Sequence, residues 1–212
     1  MATGPRQTGE LAPSIGQWSV RVQSAGEVRE DVRLVTAARN GDRVAFGRLY
    51  DLYAHTVHGI LLGKVPRAEV DDLVQDVFVT ALRRLSTLRD DRSFGPWLAA
   101  IARNRANDYH RRSTPDSLPP DDASDDGIAS AKVRGDHANQ AAVILNVIRS
   151  LPDAYRETLI LRLVEGMSGP EIAARTGMTH GSVRVNLHRG MQQLRAKLNL
   201  KPTVNNEERE TP

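Results

Sequence analysis

Between Val70 and Leu85 the apolar residues Val70, Leu73, Val74, Val77, Phe78, Ala81, Leu82 and Leu85 recur at steps of three and four. That spacing lays one stripe along roughly four turns of an α-helix. A second stripe, Phe46, Leu49, Tyr50, Tyr53, Val57, Ile60 and Leu61, precedes it. No segment shows sustained strand alternation, and there are no internal repeats. The chain is therefore expected to be all-α. Hydrophobic residues make up 40% of the sequence and aromatics only 4%, so the cores must be mainly aliphatic.

The helical segments fall into two blocks. Residues 1–26 are polar, aperiodic and contain Gly and Pro, and are expected to form a disordered extension. The first block, 27–112, holds four helices. One stops at Asn40-Gly41, a second starts near Asp42, a third opens at Pro66, and a fourth spans about 94–112. In the fourth helix Trp97, Leu98, Ile101 and Ala102 face inward. Residues 113–135, "STPDSLPPDDASDDGIASAKVRG", are acidic and rich in Pro, Ser and Gly, and read as a linker. The second block, 136–199, starts with a helix capped by Asp136 and continues with "LPDAYRETLILRLVEG". Residues 200–212 form a polar tail.

The second block ends in "SGPEIAARTGMTHGSVRVNLHRGMQQLRAKL". Ser168 and Glu171 have the S-x-x-E spacing of a capping box. Gly177 suits the left-handed position that closes a helix, and Thr179 suits the cap of the next. A short helix, a tight turn with Gly and a second helix make a helix-turn-helix. With Val183, Leu187, Met191, Leu194 and Leu198 buried, Val185 and Arg189 point outward. Ser182, Arg184, Asn186 and His188 lie on the flanks. A helix entering the major groove uses this mixture, since Arg pairs with guanine, Asn with adenine, and an apolar group meets a thymine methyl.

Charge is unevenly distributed. The formal net charge is +3. The fourth helix carries Arg103, Arg105, Arg111 and Arg112 against one acid, Asp108. With Asn104 and Asn107 these side chains suit phosphate and base contact, although bases near a helix C-terminus also favour the dipole. The third helix is the reverse, with Glu69, Asp72 and Asp76 on one face. Acids near a helix start are stabilised by the dipole, but Asp76 lies beyond the first turn. Its i, i+4 repulsion with Asp72 costs about a few tenths of a kcal/mol. A protein partner would account for it.

These stretches, in this order, resemble the extracytoplasmic-function (ECF) sigma factors of bacterial RNA polymerase. The matching segments are "GDRVAFGRLYDLY", "VDDLVQDVFVTAL", "FGPWLAAIARNRANDYHRR", "LPDAYRETLILRLVEGMSGPEIAARTGM" and "GSVRVNLHRGMQQLRAKL". The resemblance implies that 27–112 is a region 2-like domain, binding core polymerase and the promoter −10 element. It implies that 136–199 is a region 4-like domain, binding the −35 element and the polymerase flap. Ser182, Arg184, Asn186, His188 and Arg189 would read the −35 groove. Arg103, Asn104, Asn107, Arg111 and Arg112 would hold −10 DNA. The loop Leu88, Arg89, Asp90, Asp91, Arg92 and Ser93 would receive a flipped base, and Asp72, Gln75 and Asp76 would meet the clamp helices. An anti-sigma factor is an expected further partner. Asn186 stands where the family often has Arg, and Gly190 where Ala is common.

Other classes fit less of the chain. An ordinary helix-turn-helix regulator explains the second block but not the acidic helix followed by a basic one. Zero cysteines exclude disulfides, thiol catalysis and cysteine zinc sites. His55 and His58 form an i, i+3 pair without a neighbouring carboxylate pattern, so no metal site is assigned. No phosphate loop or nucleophile motif is present. No cofactor is expected, and catalysis would belong to the polymerase. Neither a secretory signal nor a membrane-spanning run is found, so a cytoplasmic location without membrane insertion is expected.

Overall fold

The computed structural model describes residues 25–113 and 136–199, with side chains over 30–112 and 140–199. Residues 1–24 of the expected N-terminal extension, 114–135 of the linker and the tail 200–212 lie outside the described residues. The described chain forms α1 (Ala25–Arg39), α2 (Arg43–Leu62), α3 (Val70–Arg84), α4 (Phe94–Ser113), α5 (Asp136–Arg149), α6 (Asp153–Leu163), α7 (Gly169–Thr176) and α8 (His180–Lys197). There is no strand among the described residues. The all-α reading holds.

Local chemistry sets the boundaries. Gly41, at φ 95°, makes the left-handed turn after α1. Asp42 caps α2, its carboxylate accepting from Val44 N at 2.8 Å and Ala45 N at 3.0 Å. Pro66 does not open an α-helix. It begins a 3-10 turn, Arg67–Glu69, and α3 starts at Val70. The α6 helix ends at Leu163, three residues before Gly166, which occupies the following turn at φ 70°.

The α3 stripe is buried at Val70, Leu73, Val74, Val77, Phe78 and Ala81, where α2 and α4 cover it. Leu82, expected inside, is 51% exposed. Leu82 therefore joins the outer face, although Leu85, three residues on, is buried.

Both reciprocal bonds of the capping box at α7 are present. Ser168 N donates to Glu171 Oε2 at 2.7 Å, and Glu171 N donates to Ser168 Oγ at 3.4 Å. Ser168→Ala should cost about 1 kcal/mol, which lowers the thermal midpoint by about 2–4 °C for a domain pair of this size. A melting curve followed by circular dichroism checks it.

The two blocks do not stand apart. One continuous core runs from Leu34 and Val35 through Ile60, Phe94 and Ala102 into Ile148, Leu159, Ile160 and Leu194. A smaller core, Leu161, Met167, Ile172, Ala173 and Val183, joins α6 to the helix-turn-helix. The seam forms where α6 packs on α2 and α7 on α4. Gly59 on α2 and Gly63 just after it admit α6. A Cβ at Gly59 would lie 2.7 Å from Leu161 Cδ2, and one at Gly63 3.2 Å from Ile160 Cδ1.

Arginines of the second block cap the first. The α2 helix has no basic residue in its own last turn. Its end carbonyls accept from Arg149, which reaches Leu62 O at 2.9 Å and Val65 O at 2.9 Å. Arg156 reaches Gly63 O at 3.3 Å. Carbonyls that a helix leaves unpaired at its C-terminus are thus satisfied from across the seam.

Candidate nucleic-acid interface

The helix-turn-helix is built as its sequence suggests. Gly177, at φ 79°, closes α7 and donates to Ala173 O. Thr179 caps α8 and accepts from Ser182 N at 3.1 Å. On α8, Val183 and Leu194 are buried, with Leu187, Met191 and Leu198 half-buried. Ser182, Arg184, His188 and Arg189 are exposed, and Val185 is 41% exposed. Asn186 is half-buried on the flank. Arg189 thus stands at the outward centre of α8, with Ser182 and the half-buried Asn186 on one flank and Arg184 and His188 on the other.

Gly190 has a packing reason. A Cβ there would lie 3.0 Å from Leu159 Cδ1 and 3.2 Å from Tyr155 Cβ. The glycine lets α8 sit close on α6, which fixes the angle at which the outer face is presented.

The α4 side chains divide into two groups. Asn104, Asn107, Arg111 and Arg112 are exposed, Arg111 pairing with Asp108 at 3.0 Å. Arg103, expected to face solvent, instead crosses the seam. It donates to Glu157 Oε1 at 2.7 Å, Glu157 Oε2 at 3.1 Å and Thr176 O at 3.4 Å. Side-chain exposure is 29% for Arg103 and 8% for Glu157. In this arrangement Arg103 is masked by the second block.

The loop before α4 is held from α1. Asp91 takes Arg39 at 2.5 Å and the Thr36 hydroxyl at 2.6 Å. Leu88 is buried, and its carbonyl accepts from Arg39 at 2.7 Å. Asp90 accepts from Arg92 N at 3.0 Å. Arg89, Asp90, Arg92 and Ser93 are the exposed members of the loop, so Leu88 and Asp91 brace it while those four present it.

On α3, Asp71, Asp72, Gln75 and Asp76 are exposed. Asp76 forms an ion pair with Arg105 of α4. This pairing supplies an internal reason for Asp76, offsetting its repulsion with Asp72. Asp72 has no ion pair among the described residues. The same face continues into Val79, 47% exposed, and Leu82, 51% exposed. Exposed apolar groups beside unpaired carboxylate suit a protein partner. Sequence spacing placed Asp72 on this face and the family resemblance added Gln75, but neither included Leu82.

The described residues include no helix long and apolar enough to cross a membrane, and no group of three or more residues able to hold a metal.

Comparison with known proteins matches this architecture. The Sigma-70 region 2 family model covers residues 49–115, and the Sigma-70 region 4 model covers 141–194. The ECF RNA polymerase sigma-E factor of Escherichia coli K12 is 31% identical over 179 residues, covering 79% of this chain and 94% of that protein. The ECF RNA polymerase sigma factor BldN of Streptomyces coelicolor is 30% identical over 175 residues, covering 77% of this chain but only 64% of BldN. Among solved structures, CnrH in complex with the cytosolic domain of CnrY aligns with a TM-score of 0.57 at 27% identity, covering 82% of this chain and 99% of that chain. Two helical blocks, one with an acidic α3 face and one with a helix-turn-helix whose second helix is basic and open, thus belong to a member of the ECF sigma factors, the RNA polymerase subunits that direct promoter recognition and transcription initiation.

Proposed function

We propose that the chain works as an initiation factor by giving each exposed face one partner. Residues 27–112 bind core polymerase and the −10 element, and 136–199 bind the −35 element and the flap. On α3, Asp72, Gln75 and Asp76, with Val79 and Leu82, dock on the clamp helices. On α8, Ser182, Arg184, Asn186, His188 and Arg189 read the −35 groove. Asn104, Asn107, Arg111 and Arg112 hold −10 DNA, joined by Arg103 once the seam opens. The loop from Leu88 to Ser93 receives the flipped base, with Arg89, Asp90, Arg92 and Ser93 at its surface.

The observation that carries this reading is the accessible α8 face, with Arg184 and Arg189 exposed on a capped second helix. Catalysis belongs to the polymerase and takes place in the cytoplasm. An anti-sigma factor is the expected regulator, in keeping with the solved complex of CnrH with the cytosolic domain of CnrY.

Run-off transcription with core polymerase tests the groove assignment. Losing one bidentate base contact costs about 1–3 kcal/mol, so Arg184→Ala with Arg189→Ala should reduce transcripts by roughly tenfold or more. Unchanged transcripts would remove α8 as the reading helix.

A further inference from the structure

Glu165 follows α6 and reaches across the seam to α2. Its Oε1 is 2.7 Å from His58 Nδ1, and its Oε2 is 3.0 Å from His55 Nδ1. The carboxylate side chain is only 5% exposed, His58 is 36% exposed, and His55 is 76% exposed. One buried carboxylate of the second block is thus gripped by two imidazoles from adjacent turns of the first. Gly59, the next residue on α2, leaves the space that Glu165 fills, since a Cβ there would lie 2.9 Å from Glu165 Cγ.

The three groups floor a cleft of about 600 Å³ that Tyr50, Asp71 and Gln75 also line. The ionisable groups facing the contact are Tyr50 and the two histidines from α2, Arg67 from the 3-10 turn and Asp71 from α3. Asp71 favours the protonated His58, whereas Arg67 opposes it.

We propose that Glu165, His55 and His58 form a proton-dependent latch between the two helical blocks, closed when the His58 imidazole is charged and released as pH rises. A neutral imidazole can still donate one hydrogen bond to the carboxylate, but the attraction between opposite charges is lost with its proton. The electrostatics agree in sign. The hydrogen bond to Glu165 raises the His58 pKa against the effect of burial. Burial acts to raise the Glu165 carboxyl, but the bonds from His58 and His55 carry it below its ordinary value. The His58 contribution is complete below the open-state imidazole pKa of about 6.5. It fades as pH rises through the higher closed-state value. At the acid end, protonation of Glu165 below its lowered pKa would also release the latch.

The closed seam also holds Arg103 on Glu157. Opening would therefore return Arg103 to DNA, a consequence that rests on the −10 reading above, whereas the latch does not.

The chain has no cysteine. Arg48→Cys on α2 and Gln193→Cys on α8, both at exposed positions, allow a donor and an acceptor dye to be placed on the full chain. Energy transfer, measured without polymerase or DNA, is expected to fall between about pH 6 and about pH 8 as imidazole loses its proton. For one latch proton, the open-to-closed ratio changes by at most about tenfold per pH unit. Replacing both histidines, His55→Gln with His58→Gln, retains amide donors and should flatten the profile. Gly59→Leu, which forces a side chain against Leu161 and Glu165, should give low transfer at every pH. Far-UV circular dichroism verifies that its helices persist. A flat wild-type profile, an unchanged slope in the histidine double variant, or wild-type transfer in a helical Gly59→Leu chain would each overturn the latch. Transcription assays remain a separate test, so the latch and the initiation role can fail independently.

Discussion

Asp72→Arg is expected to weaken binding to core RNA polymerase by on the order of 100-fold while leaving helix content unchanged. Asp72 is exposed, lies outside the buried stripe of α3 and has no ion pair among the described residues. Its substitution should therefore remove nothing from the fold. At an interface, replacing a complementary charge by its opposite loses the attraction and adds repulsion. Truncating a buried interfacial charge alone costs about 2–5 kcal/mol. Asp76→Arg is a less clean test, because it also deprives Arg105 of its partner and sets two guanidinium groups together. Fluorescence titration against core polymerase measures the difference. Equal affinity for Asp72→Arg and wild type would remove α3 from the docking surface.

The second large effect lies in the seam. Glu157→Ala is expected to destabilise the closed arrangement by about 2 kcal/mol, since it leaves the half-buried Arg103 guanidinium without its charged partner. The thermal midpoint should fall by about 4–8 °C. Glu157 accepts two bonds from Arg103 and is 6% exposed, so solvent cannot readily replace the lost contact. An unchanged midpoint would mean that the pair contributes nothing net. Differential scanning calorimetry decides between these outcomes.

Local features were legible in the sequence because their causes lie within a few residues. The cap at Asp42, the box at Ser168 and Glu171, the left-handed Gly177 and the α8 stripe all follow from short spacings. The family resemblance extended this to the two sigma regions, both of which the family models match. Contacts between distant segments were not legible. Asp76 looked unexplained on α3 because Arg105 comes from a different helix. Arg103 looked free because Glu157 lies 54 positions away. The pair His55 and His58 showed no nearby carboxylate pattern, and Glu165 arrives from 107 residues beyond His58. Leu82 was misplaced for a related reason. Periodicity states which residues share a face, but only tertiary packing states how wide a face is covered.

Gly190 sits between these cases. The sequence marked it as a departure from the common Ala, and its approach to Leu159 and Tyr155 supplies the packing reason.

The most direct test of the initiation role is run-off transcription on genomic fragments, with core polymerase in the presence and absence of the full chain. Transcripts that appear only when the chain is present, and whose starts share a common pair of upstream elements, are the expected result. Tight binding of a specific duplex by the chain alone, with no transcript on any fragment, would contradict it.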